Sequence, residues 1–512
     1  MTVRRGLHVA GRVGGLLGRE AFRTVSARPR GIPRDVVEQQ RAQAVRELCE
    51  DLGPFYIKVG QMLSTRPDLV PRAVIKELEQ LHDRIAPEPF PAFETVLAQD
   101  LGPRWREHFR EIDTERPLGA ASLAQTYRAA LGDGTPAVVK IQRPGIRRTV
   151  SSDMALLRRL ARALAARTPR FSAVVDTEAM LDVIFQAMEP ELDFTKEAAN
   201  MNRARACAEQ FDTISVPEVL LATEHVLVQS LAPGKSIREA RPEEFSDEER
   251  TAIGSDLLAF MYRGFFVERF FHADPHPGNI FAEPGKGITL IDWGMTGRTD
   301  RSLSGMILLL FFHIARNDGA SAARAWTALG HPTAWAQPSA FADDMANFVP
   351  KVAAASLGEL DFGITLSAVL QYSTNRGIRV NPAIAILGKA FANIEGSIRC
   401  LCPEVAITDV LEDEIQEVVF ELVRETLSEE QAACTALELL AAAPSGPQRL
   451  NGLLDALAGN QLALRVTSVK DQQTTAVDRA ATRSRNRRRI LLAAAPYMLW
   501  RLRRRRSRHH GA

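Results

Sequence analysis

Asp274 and Asn279 stand five residues apart in the run His272-Ala-Asp274-Pro-His276-Pro-Gly278-Asn279, and Asp292-Trp293-Gly294 follows thirteen residues after Asn279. These residue types at these intervals suit phosphoryl transfer. A carboxylate such as Asp274 can orient an acceptor hydroxyl or water and take its proton, while Asn279 and Asp292 offer the hard oxygen ligands that magnesium takes. The run Gly287-Ile-Thr-Leu-Ile291 reads as a strand that would carry Asp292 rigidly, and Gly294 would let the chain turn sharply after it. His, Asp and Asn also cluster in ordinary surface loops, but without ordered spacing behind a strand.

Such a loop needs a cation on the nucleotide phosphates, delivered from elsewhere. Pro136-Ala-Val-Val-Lys140-Ile-Gln142 has the form of the strand lysine of a kinase-like site. Lys140 in turn calls for a carboxylate partner. The helical stretch 186–204 offers Glu189, Glu191, Asp193 and Glu197, and spacing alone does not choose among them. No Gly-x-Gly-x-x-Gly run lies between Glu115 and Leu131. Pro117-Leu-Gly119-Ala120-Ala121-Ser122-Leu-Ala124-Gln125 occupies that place; its small side chains let backbone amides approach phosphate, and Ser122 and Gln125 add polar groups. Val226-Leu-Val-Gln229-Ser-Leu231 sits where an adenine-binding hinge is expected, with Gln229 and Leu231 as the contact positions.

Ahead of these stands Leu52-Gly-Pro-Phe-Tyr-Ile-Lys58-Val-Gly60-Gln61-Met-Leu-Ser-Thr-Arg66-Pro-Asp68-Leu-Val-Pro71. Read by pattern alone, it is an amphipathic helix with a tolerated glycine. Together with the Ala-rich loop, Glu191-x-Asp193, Glu197, Asn200, the catalytic run, and Asn393-Ile-Glu395-Gly396 with Leu401-x-Pro403-Glu404, it resembles the UbiB (ADCK) family of atypical protein-kinase-like proteins, over about residues 35–465. The resemblance implies an ATP-binding protein with ATPase or unorthodox kinase activity, using magnesium and supporting isoprenoid quinone biosynthesis. It implies that Lys140 contacts phosphates and pairs with Glu197. It also implies that Lys58 and Gln61 reach into the cleft from a helical extension to meet Glu191 and Asp193. Gly119 departs from the family's first loop alanine, Trp293 from its usual Phe, and Gln229 from a common acidic residue.

The elements that must position these groups suggest an α+β, kinase-like two-lobed fold with an N-terminal helical extension and a helical C-terminal region. The expected divisions are a basic amphipathic segment over 1–30, the extension over 31–115, a small lobe over 116–232, a larger lobe over 233–403, further helices over 404–478 and an Arg-rich tail over 479–512. Five cysteines without paired spacing suggest thiols in a reducing compartment. The net charge of +2 hides two basic ends, +6 over 1–30 and +12 over 479–512, against −16 for the body between them. An anionic surface is the expected partner. The tail interleaves Ile490 to Trp500 between arginine clusters: eleven residues, about 16 Å as a helix, too short for a core of about 30 Å, yet suited to lie in the interface. No nucleic-acid-binding fold is recognisable, so membrane lipid is expected rather than nucleic acid. The resulting expectation is a magnesium-dependent ATPase or phosphotransferase at the inner face of a bacterial cytoplasmic membrane, with quinone-biosynthesis enzymes as possible partners. A small-molecule phosphotransferase of the choline or aminoglycoside type and a pseudokinase scaffold are the alternatives.

Overall fold

A computed structural model describes residues 34–64, 70–78, 87–167, 192–353, 362–381 and 383–402, with isolated positions elsewhere. Glu191, the segment 1–30 apart from four positions, and the stretches expected as C-terminal helices and tail lie outside the described residues, Val418 excepted.

The chain enters through helices α1 (Arg34–Leu52), α2 (Pro54–Ser64) and α3 (Arg72–Leu78). Buried Glu77 of α3 accepts hydrogen bonds from Gln39 (2.6 Å) and from Arg46 Nε (2.9 Å) of α1, which ties the helices together through a charge-assisted pair. Gly60 explains itself by packing: a Cβ there would meet Leu81 Cδ1 at 2.5 Å and both Cys49 and Leu78 at 3.3 Å. Helix α4 (Pro91–Leu101) starts on a proline that is pre-set for the first turn.

Next come β1 (Phe109–Ile112), β2 (Gly119–Ala120), β3 (Ala124–Leu131) and β4 (Pro136–Gln142), then α5 (Ile146–Arg167) and α6 (Phe194–Ala208). Asp193 caps α6, its carboxylate accepting from the Thr195 N–H at 3.1 Å and thereby satisfying one of the orphan donors of the first turn. Strands β5 (Ile214–Ser215), β6 (Val219–Ala222), β7 (Val226–Ser230) and β8 (Lys235–Ser236) follow. Six strands form one antiparallel sheet in the order β1-β3-β4-β7-β6, with β2 on β3; it takes in β1, upstream of residue 116. Lys140 sits on the middle strand, opposite Thr126 of β3 and Leu227 of β7, so its backbone is held from both sides.

The helical part begins with α7 (Asp247–Phe266), whose start is a reciprocal Ser246/Glu249 capping box. Between α7 and the next helix lie β9 (Phe270–His272), β10 (Ile280–Glu283), β11 (Gly287–Leu290) and β12 (Thr296–Arg298). Strands β9 and β12 pair, His272 opposite Thr296, and so bring the segments before Asp274 and after Asp292 side by side. Helices α8 (Arg301–Ala315) and α9 (Gly319–Leu329), β13 (His331–Pro332), α10 (Pro338–Ala353), α11 (Phe362–Asn375), β14 (Ile378–Arg379) and α12 (Ala383–Leu401) complete the described chain.

Three apolar clusters matter for the site. One fills the sheet and α4, with Phe93, Tyr127 and Val139 fully buried. A large one fills the helical part around Trp293, Phe265 and Phe391. In the third, Phe55, Tyr56 and Val59 of α2 join Leu123 of the Ala-rich loop with Ala273 and Met295, the neighbours of the two aspartate segments. Each of the large apolar side chains among them contributes about 1.5–3 kcal/mol on full burial, enough to seat the extension against the catalytic segments. Among the described residues no helix is long and apolar enough to cross a membrane, and no cysteines are joined as a disulfide.

Candidate active site

Lys140 is the hub. Its ammonium lies 3.0 and 2.9 Å from the two carboxylate oxygens of Glu197 and 3.1 Å from Asp292 Oδ1. Glu197 is only 1% exposed, so this pairing supports its charge in the interior, whereas Asp292 is 48% exposed and open to solvent. Lys140 holds Asp292 well below the ordinary carboxylate range; partial desolvation by the surrounding protein works against this, and Lys58 and His272 add to it. Of the acids the sequence offered to Lys140, Glu197 is bonded to it and Asp193 caps α6, while Glu189 and Glu191 lie outside the described residues.

The backbone around Asp292 is special. The chain turns at Trp293–Gly294, after Asp292, as the sequence suggested, but the left-handed φ falls on Asp292 itself, at 61°, and not on Gly294. Aspartate is one of the few side-chain-bearing residues that tolerates this conformation. The strain is countered nearby. Trp293 is fully buried, donates its indole N–H to the Leu290 carbonyl at 3.1 Å, stacks on Phe270 and meets His272 edge-on. Asn200 of α6 donates to the Trp293 carbonyl at 3.1 Å. A larger ring in place of Phe thus serves as the anchor under the turn.

His272 links the two aspartate segments. Its Nδ1 accepts from the Asp274 N–H (3.1 Å), so Nε2 carries the proton and donates to the Ile291 carbonyl (3.0 Å). Burial lowers its pKa below the ordinary 6.5. A histidine whose folded pKa is lowered binds fewer protons folded than unfolded, so stability is lost as pH falls below the unfolded value. Thermal melts between about pH 5 and 6.5 should therefore show a loss of stability that His272→Gln lacks; identical pH dependence in the two proteins would remove His272 from this role.

Asn279 donates its amide N–H to the Asp274 carbonyl at 3.1 Å, which turns the amide oxygen away as the atom a cation can use. An ionised, cleft-facing Asp292 with an amide oxygen beside it is a fit donor set for magnesium, which takes few protein oxygens and keeps the rest for phosphate and water. Among the described residues there is no cluster of three His, Cys, Asp or Glu that would suit a different metal. Asp274 sits below its ordinary pKa: burial would raise it, but Lys389, His276 and Lys58 outweigh that.

Lys58 is buried, and its charge acts on both Asp274 and Asp292. Lys58→Met should lower Mg-ATP turnover by at least about tenfold, or 1.4 kcal/mol at the barrier, while the protein stays folded. Unchanged nucleotide binding and turnover would mean that the extension lysine has no part in the site. Gln61 has a different post: its amide donates to the Leu81 carbonyl at 3.1 Å, bracing the extension internally. Asp193 serves as the α6 cap described above.

In the Ala-rich loop, Gly119 and Ala120 pair with Thr126 and Gln125, and the Ala121 N–H reaches the Ala124 carbonyl at 2.9 Å. Ser122 is wholly buried, and among the described residues its hydroxyl has no hydrogen-bond partner. Gln125, expected to face phosphate, turns inward instead: it accepts from the Glu88 N–H (2.6 Å) and donates to the Glu88 carbonyl (3.1 Å) and Tyr127 hydroxyl (2.7 Å). Arg143 bridges the Ala121 carbonyl (3.0 Å) and the Glu88 carboxylate (2.6 Å). The loop is therefore braced from the segment before the sheet, which no local pattern announced. At the hinge, Gln229 pairs with Val138 and Val219, and the Leu231 N–H contacts the Pro136 carbonyl at 3.3 Å.

Two residues that the sequence did not assign to the site touch Asp274: Lys389 Nζ at 3.0 Å and Asn393 Nδ2 at 2.7 Å, both from α12. Only the Asn393 segment stood out in the sequence.

A sheet carrying a buried Lys–Glu pair, facing a helical body that supplies Asp274, Asn279 and Asp292, defines an atypical kinase-like protein. The family model of the ABC1 atypical kinase-like domain matches residues 80–325. An uncharacterized protein of Synechocystis is 31% identical over 69% of this chain and 89% of its own. A probable protein kinase UbiB of Azotobacter vinelandii is 30% identical over 73% of this chain and 71% of its own. The chain belongs to the UbiB family of ABC1 atypical kinase-like proteins. Among solved structures, a Mycobacterium tuberculosis protein in complex with erythromycin is 23% identical over 71% of this chain and 93% of its own, with a TM-score of 0.48.

Proposed function

We propose that this protein binds ATP with magnesium and hydrolyses or transfers its terminal phosphoryl group, in support of isoprenoid-quinone or related isoprenoid-lipid metabolism at a membrane face. The observation that carries the proposal is Lys140 held between buried Glu197 and cleft-facing Asp292. That arrangement presents a fixed cation to the α- and β-phosphates beside the carboxylate of a metal site. Asp292 and the Asn279 amide oxygen would hold magnesium, which when bound spreads positive charge over the phosphate oxygens. Asp274, kept ionised, orients a water or acceptor hydroxyl and takes its proton. Lys58 brings a further positive charge to the same aspartates from the extension, which packs against the residues flanking both aspartate segments. The quinone assignment draws on relatives named UbiB, and the membrane assignment on the basic ends of the sequence.

Quinone content in a deletion strain tests the biological half. Wild type should restore it and Asp292→Asn should not. Full rescue by Asp292→Asn would make the protein a scaffold without turnover, and normal quinone in the deletion strain would remove the pathway assignment. Sedimentation with anionic but not neutral vesicles, reversed by salt, tests the membrane half; retention that only detergent reverses would mean inserted rather than peripheral attachment.

A further inference from the structure

The catalytic run His272-Ala-Asp274-Pro-His276-Pro-Gly278-Asn279 contains no lysine or arginine, and the Nδ1 of His276 is occupied by the Gly278 N–H at 2.9 Å. Two prolines stiffen this run but donate no hydrogen bonds. The fixing groups come from α12. Lys389, Asn393 and Ser397 recur at intervals of four and so share one helix face. That face meets consecutive residues of the loop: Lys389 and Asn393 both reach Asp274 Oδ1, at 3.0 and 2.7 Å, and buried Ser397 donates to the Pro275 carbonyl at 2.9 Å. Among the described residues no donor falls on Asp274 Oδ2.

We infer that Lys389 and Asn393 act as a paired positioning device for phosphoryl transfer: by gripping Oδ1 together, they fix the carboxylate plane of Asp274 and leave Oδ2 as the oxygen that meets the acceptor. A carboxylate held by one donor can rotate about its Cβ–Cγ bond. Held by an ammonium and an amide from a rigid helix, with the loop backbone pinned one residue on, it cannot. Lys389 is 24% exposed and Asp274 23%, so the grip lies at the wall of the cleft and not deep in the core. The inference rests on the phosphoryl-transfer reading above and adds the residues that orient its base.

The test is a double-mutant cycle on steady-state Mg-ATP turnover with Lys389→Met, Asn393→Leu and the double variant, alongside thermal stabilisation by Mg-ATP. Each single variant should lose about 30-fold or more in kcat with KM for ATP changed less than about threefold, because the nucleotide contacts are elsewhere. The double variant should lose little more than the worse single variant, since both donors serve one oxygen. Lys389→Arg should recover part of the loss. If Lys389→Met does not fold, Lys389→Gln takes its place in the cycle. Unchanged kcat in either single variant, or losses that multiply in the double variant, would overturn the inference while leaving the reading intact. Wild type that neither turns over nor is stabilised by Mg-ATP would overturn both.

Discussion

Asp292→Asn is expected to leave the protein folded and to lower Mg-ATP turnover by about 10²–10³-fold, the scale on which removal of one preorganised electrostatic group acts. Asparagine keeps the size of the side chain, an oxygen for the turn and the tolerance of a left-handed φ. It loses the charge that Lys140 faces at 3.1 Å and that a divalent cation needs. The fold should persist because Trp293 and Asn200 pin the turn independently of that charge. Turnover assayed beside circular dichroism separates the two effects. Undiminished turnover in a folded Asp292→Asn protein would take Asp292 out of the chemistry.

The second large effect concerns stability. Lys140→Met removes the ammonium that bonds both carboxylate oxygens of Glu197, whose side chain is 1% exposed, and breaking a buried ion pair from one side costs about 3–5 kcal/mol. Adding Glu197→Gln in the same chain should recover much of that loss, because the stranded charge is then gone. Denaturant unfolding of the two single variants and the double variant measures this directly. A Lys140→Met protein within about 0.5 kcal/mol of wild type would mean that Glu197 is satisfied without Lys140.

What the sequence disclosed was the part written locally. Asp274, Asn279 and Asp292 announce themselves by interval, and Lys140 by its strand, because a loop and the strand after it must hold these groups at fixed offsets. Glu197 was one of four acids on a helical stretch, and only tertiary packing of α6 against β6 and β7 brings it to Lys140 of β4. The grip of Lys389 and Asn393 on Asp274, and of Arg143 and Glu88 on the Ala-rich loop, crosses 119 residues in one case and 55 in another, so no periodicity could register them. The reversal of Gln125 has the same origin: an amide beside a loop reads as a ligand contact until the backbone of Glu88 is seen to lie within reach. The turn after Asp292 was legible, but not which residue carries its left-handed φ. Glycine is the usual carrier of a positive φ, and aspartate can substitute for it where surrounding contacts hold the backbone.

The site at the Lys140–Asp292 pair is expected to take ATP together with magnesium. Isothermal titration of the full-length protein with ATP, with and without magnesium and alongside Asp292→Asn, tests it most directly. The expected result is saturable binding that tightens at least about tenfold when magnesium is present, or 1.4 kcal/mol, and that loses this gain in Asp292→Asn. Binding to wild type that is indifferent to magnesium, or absent altogether, would contradict the account.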